Sequence, residues 1–135
     1  MCTEGGTIKK TKLEAYSRPR VNGINAITIK ENDRLLDVKL TNGDNHIIIA
    51  KRSGKAINFH ENNVRPMGRT AAGVRGIKLE SDDDRVIGMI CVSREESDLL
   101  VVSKNGYGKR SSINDYRITK RLSLIHISEP TRPAI

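Results

Sequence analysis

The chain repeats itself with a period of about fifty residues, and this feature limits the possible folds more than any other. Aligning the first segment with the second matches Gly6 with Gly54, Gly23 with Gly73, Ile27 with Ile77 and Asp33 with Asp84. A third copy begins near Gly106. Repeats of this length stack on one another, because a single unit cannot bury its own apolar face.

The apolar residues follow the patterns of β-strands. In "AITIK" (26–30) and "LLDVKL" (35–40) apolar and polar residues alternate, which is the two-residue period of a half-buried strand. The runs "HIIIA" (46–50), "VIGMICV" (86–92) and "DLLVV" (98–102) are short, continuous and rich in β-branched residues, which predicts strands buried on both faces. Long helical stripes free of glycine and proline are absent from the sequence. The chain is therefore predicted to be all-β.

Glycine turns lie between the predicted strands. Gly5-Gly6, Asn22-Gly23, Asn42-Gly43, Ser53-Gly54 and Asn105-Gly106 are typical of tight hairpins. About four strands in each copy is the arrangement of a propeller blade. We expect an all-β, propeller-like fragment of about two four-stranded blades plus the start of a third, with repeats at about 1–50, 51–103 and 104–121.

The charge of the chain indicates a polyanionic partner. Lys and Arg number 24 against 16 Asp and Glu, which gives a formal net charge of +8. The cations concentrate in 65–78 and 104–121, whereas 80–98 is acidic. With three tyrosines, one phenylalanine and no tryptophan, the chain has few side chains on which single-stranded bases could stack. A duplex backbone is the favoured polyanion.

Several other kinds of site are not supported. "GYGK" (106–109) lacks the first glycine and the final Ser or Thr of a Walker loop, so its glycines are predicted to be turn and bulge positions. "SDDDR" (81–85) lacks the ligand alternation and glycine of a calcium loop and is predicted to be a solvated turn. His46, His60 and His126 share no metal-ligand spacing, so no metal is expected.

The cysteines and apolar runs predict the compartment. Cys2 and Cys91 are too few and too far apart for a disulfide framework or a zinc cluster, so reduced thiols are expected. The longest apolar run, about 86–92, is too short for a membrane span, and the first residues lack the apolar core of a signal peptide. We expect a soluble, intracellular protein.

Four long strings carry a resemblance to a known family: "KKTKLEAYSRPRVNGINAITI" (9–29), "VRPMGRTAAGVRGIKL" (64–79), "DDRVIGMICV" (83–92) and "NGYGKRSSINDYRITKR" (105–121). In these strings the sequence resembles the C-terminal domain of the DNA gyrase A subunit, and in detail its Bacteroidetes-type members. The resemblance implies a β-pinwheel, a propeller-like disc whose outer edge binds and bends duplex DNA. It also implies a larger enzyme, an ATP-dependent type IIA DNA topoisomerase that introduces negative supercoils.

The same resemblance implies the partners and cofactors of that enzyme. The partners are double-stranded DNA, the remaining A-subunit domains and the B subunit in an A2B2 complex, with no membrane, in the bacterial cytoplasm at the chromosome. ATP and Mg²⁺ are implied for other domains, and no cofactor is expected in this chain. The family cleaves DNA with a tyrosine that follows an arginine in another domain. Tyr16, Tyr107 and Tyr116 lack that context, so we expect packing roles and no catalytic residues.

The sequence departs from the family in two places. The family's wrapping motif, a Gln/Arg-rich stretch followed by Gly-Gly-x-Gly, is absent, and Leu122 follows Arg121 where the family continues into Gly-Gly-Lys-Gly. Residues 122–132 ("LSLIHISEPTR") resemble the translation of a sequencing-library adapter, with a natural strand and loop as the alternative. We therefore expect 122–135 to be a non-native tail outside the fold, and 1–121 to be a partial β-pinwheel domain.

Basic residues at matched positions of the repeats are the candidate DNA contacts. Lys9-Lys10 and Lys109-Arg110 follow turn glycines in two copies, and adjacent cations on a strand are expected at an exposed edge. The middle copy has Ile57-Asn58 there, which predicts a weaker contact. Any single cation could serve solubility alone, but the recurrence favours phosphate binding. The candidates are Lys9, Lys10, Lys12, Arg18, Arg20, Arg65, Arg69, Arg75, Lys109, Arg110, Arg117, Lys120 and Arg121.

Two other functions stay open at this point. One is the equivalent domain of the topoisomerase IV A subunit, which the resemblance implies would have the same fold and weaker wrapping. The other is a propeller-like scaffold whose cations meet an acidic protein.

Overall fold

The computed structural model describes residues 1–93 and 98–116, together with the backbone of 125–126. The strands are β1 (Cys2–Thr3), β2 (Thr7–Ile8), β3 (Leu35–Asp37), β4 (His46–Lys51), β5 (Lys55–His60), β6 (Val74–Arg75), β7 (Val86–Val92), β8 (Asp98–Val102), β9 (Gly108–Ser112) and β10 (Ile125–His126). Three short 3₁₀ helices accompany them: η1 (Leu13–Tyr16), η2 (Glu61–Asn63) and η3 (Ile113–Asp115). The all-β prediction is confirmed.

The strands form two four-stranded sheets and one two-stranded sheet, all antiparallel. Sheet 1 has the order β3-β1-β2-β6, sheet 2 has the order β7-β4-β5-β10, and sheet 3 is the hairpin β8-β9. The registers of sheets 1 and 2 are equivalent, because Cys2 lies opposite Ile8 as Ala50 lies opposite Ala56. Two four-stranded blades and the start of a third, as predicted, are confirmed.

The fourth strand of each large sheet comes from the following repeat. β6 follows β5 in the chain, yet it pairs with β2 of sheet 1, where Ile8 lies opposite Val74. β10 pairs with β5 in the same way, with Ala56 opposite Ile125. Successive repeats are therefore linked by exchanged strands. The predicted repeat boundaries at 50/51 and 103/104 fall inside the hairpins β4–β5 and β8–β9 and stay predictions.

β10 belongs to the segment that we expected to lie outside the fold. The backbone of 125–126 pairs with Lys55 and Ala56, at the place that β6 takes in sheet 1. This pairing does not decide whether 122–135 is a non-native tail, because the edge of β5 accepts an extended backbone there whatever its side chains. The adapter origin of 122–132 stays a prediction.

Strand β4 is buried on both faces, as its continuous apolar run predicts, but that prediction is wrong at Ile87 of β7 and on one face of β8, where Leu100 and Val102 are exposed. Ile47 and Ile49 of β4 pack with Ile8 of sheet 1 in one core. Ile48, which points the opposite way, packs in a second core with Tyr116 of the third repeat. Because strand side chains alternate between faces, one strand contributes to both cores.

The three hairpins turn in the same way. Gly6, Gly54 and Gly106 each have a φ of 88°, in the left-handed region that glycine adopts without strain. Each of their N–H groups donates to the carbonyl three residues earlier, at 3.0–3.1 Å. The predicted equivalence of these three glycines is confirmed, and Gly106 of "GYGK" is a turn residue.

Asp33 and Asp84 hold equivalent turns in two repeats. Oδ1 of Asp33 accepts a hydrogen bond from Gly5 N at 2.8 Å, and Oδ1 of Asp84 accepts one from Ser53 N at 3.2 Å. Each carboxylate also accepts from the N–H of the residue after it. Asp84 is only 8% exposed, so the expectation that all of 81–85 is solvated is wrong at this residue.

Two predicted strands are shorter or missing. "LLDVKL" forms a strand only at Leu35–Asp37, since two-residue β1 offers it a short edge, and Val38 and Leu40 are exposed. "AITIK" (26–30) forms no strand. The equivalent stretch of repeat 2, residues 76–80, forms no strand either and directly follows the two-residue strand β6.

Both cysteines lie in or beside the interior of the protein. Cys2 and Cys91 are free thiols. Burial raises the pKa of Cys2 to about 12 and also raises the pKa of Cys91, so neither is an activated nucleophile. In the described part of the chain, no helix has the length and apolar character to cross a membrane.

Candidate nucleic-acid interface

The candidate DNA contacts lie mainly on two loops and one hairpin. The first arginine loop (17–30) follows η1, the second arginine loop (65–73) follows η2, and the hairpin is β8–β9. Exposed candidate side chains are those of Lys12, Arg18, Arg20, Arg65, Arg75, Lys109 and Arg110, whereas Lys10 and Arg69 are half-buried and Lys9 is buried. Arg117, Lys120 and Arg121 lie outside the described residues.

An arginine occupies the second position after each 3₁₀ helix. Arg18 follows η1 in this way and Arg65 follows η2, and both side chains are exposed. Arg117 has the same place in the sequence after η3. His60 and Ser112 begin η2 and η3 alike, each accepting a hydrogen bond from the backbone N–H two residues later. Arg18 and Arg65 therefore have the same position relative to their 3₁₀ helices, although Lys12 begins η1 without such a hydrogen bond.

The two arginine loops lie side by side. Thr28 Oγ1 donates to Thr70 O at 2.6 Å, and Thr28 N donates to Ala71 O at 3.4 Å. Arg69 Nη1 donates to Asn25 O at 3.1 Å. These contacts join residues 42–44 positions apart in sequence, so the loops that carry the arginines of repeats 1 and 2 touch each other.

Lys9 is not on the outer surface, and the prediction of an exposed cation at this position is wrong. Its side chain is 3% exposed, and its Nζ donates to the carbonyls of Ala26, at 2.7 Å, and Arg69. The physical reason lies in the register. Lys9 occupies the position of Ile57 in sheet 2, which faces inward and is fully buried.

Lys10 makes a contact between repeats. Its Nζ donates to Glu61 O at 3.0 Å and lies 3.9 Å from Glu61 Oε1. In sheet 2 the equivalent residue is Asn58, whose Nδ2 donates to Tyr116 O at 3.0 Å. The second position of the predicted cation pair thus connects a sheet to the 3₁₀ segment of the next repeat. The prediction of an exposed pair is therefore wrong for Lys9-Lys10.

The pair in the third repeat is exposed. Lys109 and Arg110 lie on β9, which pairs with β8, and both side chains reach solvent. Arg110 Nε donates to Asp98 Oδ2 at 2.6 Å across the hairpin. An ion pair at this level of exposure contributes little to stability, so Arg110 can exchange its carboxylate for a phosphate.

Two lysines form ion pairs with part of the acidic segment 80–84. Nζ of the fully buried Lys51 lies 3.4 Å from Asp84 Oδ2 and 3.6 Å from Glu80 Oε1, and it donates to Lys78 O at 2.7 Å. Lys55 forms a hydrogen-bonded ion pair with Glu80. The acidic stretch of the sequence is therefore partly paired internally and does not simply repel an anionic partner.

The described residues offer no cluster of metal-ligating groups. No group of three or more His, Cys, Asp and Glu side chains there could hold a metal ion. His46 and His60 stack edge to face, with ring centres 5.0 Å apart, and His60 Nε2 lies 2.8 Å from Asp44 Oδ1. A mainly apolar cavity of about 610 Å³ is lined by both large sheets. The surface cations thus remain the candidate site.

Comparison with known proteins identifies the family. The family described as "DNA gyrase C-terminal domain, beta-propeller" matches residues 1–42, 46–93 and 97–123. The chain belongs to the DNA gyrase C-terminal domain family. The DNA gyrase A subunit of Salmonella typhimurium is 44% identical over 133 residues, which cover 96% of this chain and 15% of that protein. The Staphylococcus epidermidis protein of the same name is 43% identical over 120 residues, 88% of this chain and 13% of its own length.

Solved structures resemble this gyrase domain in fold. The C-terminal domain of DNA topoisomerase IV has a TM-score of 0.83 and 28% identity, and the match covers 90% of this chain and 38% of that one. A DNA gyrase A C-terminal domain has a TM-score of 0.76 and 28% identity, covering 89% and 39%. The predicted family is confirmed. The chain spans only a small part of the length of the curated relatives it matches.

Sequence reasoning missed three features of this gyrase domain. It found neither the exchanged strands, nor the internal role of Lys9, nor the hydrogen bonds between the two arginine loops. The repeat alignment did contain one usable signal. It matches Lys9 to Ile57, and an isoleucine at the same position of a second copy indicates an inward-facing site.

Proposed function

We propose that this gyrase domain binds and wraps duplex DNA along a surface of exposed arginines and lysines. The proposal rests on one observation above all. Arg18 and Arg65 are exposed at equivalent positions of successive repeats, on loops that hydrogen-bond to each other. The net charge of +8 supports an anionic partner.

Phosphate neutralisation accounts for the affinity. Arginine forks hold phosphate oxygens bidentately and so position the backbone, whereas lysines act as point charges. Contacts to the DNA backbone carry no information about the base sequence, so binding is largely indifferent to that sequence. Wrapping favours DNA that bends easily. Each phosphate contact adds about −0.9 to the slope of log affinity against log salt concentration.

The wider setting of the domain is part of the proposal and is supported by relatives that are named as DNA gyrase A subunits. The domain works beside the remaining A-subunit domains and the B subunit in an A2B2 complex, in the bacterial cytoplasm at the chromosome. ATP-driven introduction of negative supercoils, with Mg²⁺, belongs to the other domains. This chain contributes DNA wrapping and no cofactor or catalytic group.

A role in topoisomerase IV is the second candidate, and the TM-score of 0.83 to that enzyme's C-terminal domain favours it. The two functions differ in outcome. If the full-length A subunit, assembled with its B subunit, introduces negative supercoils into relaxed plasmid, the gyrase function stands. Relaxation and decatenation without supercoiling identify topoisomerase IV.

A salt titration tests DNA binding by this chain. We expect the affinity for a labelled duplex, measured by fluorescence anisotropy, to fall steeply between about 50 and about 200 mM salt. In the double variant Arg18→Gln/Arg65→Gln the slope should decrease by about 1.8, the value of two phosphate contacts. Arg52→Gln/Arg85→Gln is the matched control, because it removes the same charge from exposed arginines outside the candidate set.

Three outcomes are decisive. A flat salt dependence of the unmodified chain contradicts duplex binding. Binding of an acidic protein that excess duplex DNA does not displace supports the scaffold alternative. Equal effects of the two double variants contradict the proposed site, since charge alone would then account for the change.

A further inference from the structure

We propose that Lys9 is a positioning residue, which ties the two arginine loops together from beneath so that they meet DNA as one unit. This inference rests on the proposed function, because it concerns how the same surface is organised. It replaces the expectation that Lys9 touches phosphate.

The contacts of Lys9 join the two loops directly. Its Nζ donates to the carbonyl of Ala26, in the first arginine loop, and to that of Arg69, in the second. With 3% of the residue exposed, this ammonium depends on these acceptors in place of water. Burial, and to a smaller degree the charge of Arg69, lowers the pKa of Lys9.

The remaining bonds between the loops are weaker candidates for this role. Those made by Thr28 Oγ1 and by the Arg69 guanidinium are exposed, so water competes with them. The hydroxyl of Tyr16 donates to the same Ala26 carbonyl at 3.1 Å, but it does not reach the second loop in the described contacts. Lys9 supplies a buried, charge-assisted link, the stronger kind of hydrogen bond.

The residue type at this register, lysine in sheet 1 and isoleucine in sheet 2, matches the polarity of the groups around it. Ile57, at the same register in sheet 2, packs among apolar residues of sheet 1. Lys9 faces the two loops, whose carbonyls need donors. Burying a lysine ammonium without such acceptors costs free energy. We therefore infer that the role of this lysine is to contact both loops.

Fixed spacing between the loops matters for binding a duplex. The loops carry Arg18 and Arg20 on one side and Arg65 and Arg69 on the other. Holding them in place before DNA arrives reduces the entropy lost on binding. The backbone of Arg69, whose side chain is itself a candidate contact, is directly held by Lys9.

Chemical labelling of the unmodified chain is the first test. An amine-acetylating reagent, followed by peptide mass spectrometry, should modify exposed Lys12 and Lys30 in the free protein and leave Lys9 largely unmodified with or without a bound duplex. Ready labelling of Lys9 in the free protein, lost on addition of DNA, would show direct phosphate contact and overturn the proposal.

Loop mobility in a variant is the second test. In Lys9→Met, hydrogen exchange measured without DNA should be faster at Thr28, whose N–H donates to Ala71 O. The salt slope for duplex binding should decrease by at least about 0.9, one phosphate contact, although Lys9 touches no phosphate. Lys39→Met, an exposed lysine outside both arginine loops with the same charge change, should alter neither measurement.

The outcomes separate this inference from the proposed function. Unchanged loop exchange and salt slope in folded Lys9→Met overturn the positioning role, even when the unmodified chain binds DNA. Faster loop exchange in Lys9→Met supports the tie between the loops, even when the unmodified chain fails to bind DNA and the proposed function falls. If circular dichroism shows that Lys9→Met does not fold, the labelling pattern of the unmodified chain decides.

Discussion

At the scale of single residues, Lys51 and Asp84 show how the fold accommodates charge in its interior. The Lys51 side chain is fully buried and that of Asp84 is 2% exposed, with 3.4 Å between Nζ and Oδ2. Burial by itself raises the pKa of the Asp84 carboxyl. Hydrogen bonds from the backbone N–H groups of Glu80 and Ser53, together with the charge of Lys51, outweigh that effect and leave the pKa below its ordinary value.

Asp84→Asn tests this ion pair. Since the folded-state pKa is lowered, the ionised carboxylate stabilises the fold above the ordinary aspartate pKa, about 3.9, and this stabilisation is lost as the pH falls through the folded-state pKa. We expect a loss of about 3 kcal/mol at neutral pH, because Lys51 loses its buried partner and keeps only the more exposed carboxylate of Glu80. Thermal unfolding against pH is the measurement, and the gap to the unmodified chain should narrow in acid.

Asp83→Asn is the control for this substitution, because Asp83 is an exposed neighbour in the same turn. It should leave the neutral-pH stability within about 0.5 kcal/mol of the unmodified chain. An equal loss in both variants would mean that the turn as a whole, and not the buried pair, sets the stability.

At the scale of elements, the exchanged strand β6 requires a close backbone approach. Gly73, just before β6, has a φ of 108°, and a Cβ there would lie 2.4 Å from Ile8 O of sheet 1. Gly43 has a similar φ of 97°, but a Cβ there would meet no atom within 4 Å. The two glycines therefore separate the cost of backbone conformation from the cost of contact with the neighbouring sheet.

Gly73→Ala should destabilise the chain more than Gly43→Ala. Both substitutions carry the strain of a left-handed conformation, about 1 kcal/mol, and Gly73→Ala adds a steric clash worth roughly 1–3 kcal/mol. Urea denaturation gives the free energies of unfolding. Equal losses in the two variants would argue against close contact between the exchanged strand and sheet 1.

At the scale of the whole molecule, sheet 2 connects the three repeats. One face shares a core with sheet 1 and the other shares a core with the third repeat, while β6 links repeats 1 and 2 a second time. Repeat proteins draw stability from the interfaces between neighbours. Sheet 1, whose own hairpin strands have two residues each, depends on this interface.

A cavity made in sheet 2 should therefore loosen sheet 1 as well. Ile49 is fully buried in the shared core, and Ile49→Ala should cost about 2–5 kcal/mol. Hydrogen exchange should become faster in peptides of β1 and β2 as well as β4. Ile87→Ala, at a residue 57% exposed in the same sheet, is the control and should change neither. Faster exchange confined to sheet 2 would show that the repeats unfold separately.

The sequence alone determined the local conformations of this chain. Turn glycines and β-branched runs depend on each residue and its near neighbours, so the strands β4, β7 and β8, the three equivalent hairpins and the all-β class followed from them. The sequence also predicted that the chain is strongly basic, because net charge depends on amino-acid composition and not on how the chain folds.

Tertiary structure alone decided which residues face one another. Whether a stretch such as 26–30 becomes a strand depends on a partner that other parts of the chain supply, and the exchange of β6 cannot be read from a repeat alignment. The same applies to Lys9 and Lys109, which look alike in sequence. One is buried beneath two loops and the other is exposed on a hairpin, because burial depends on packing around the residue and not on the residue itself.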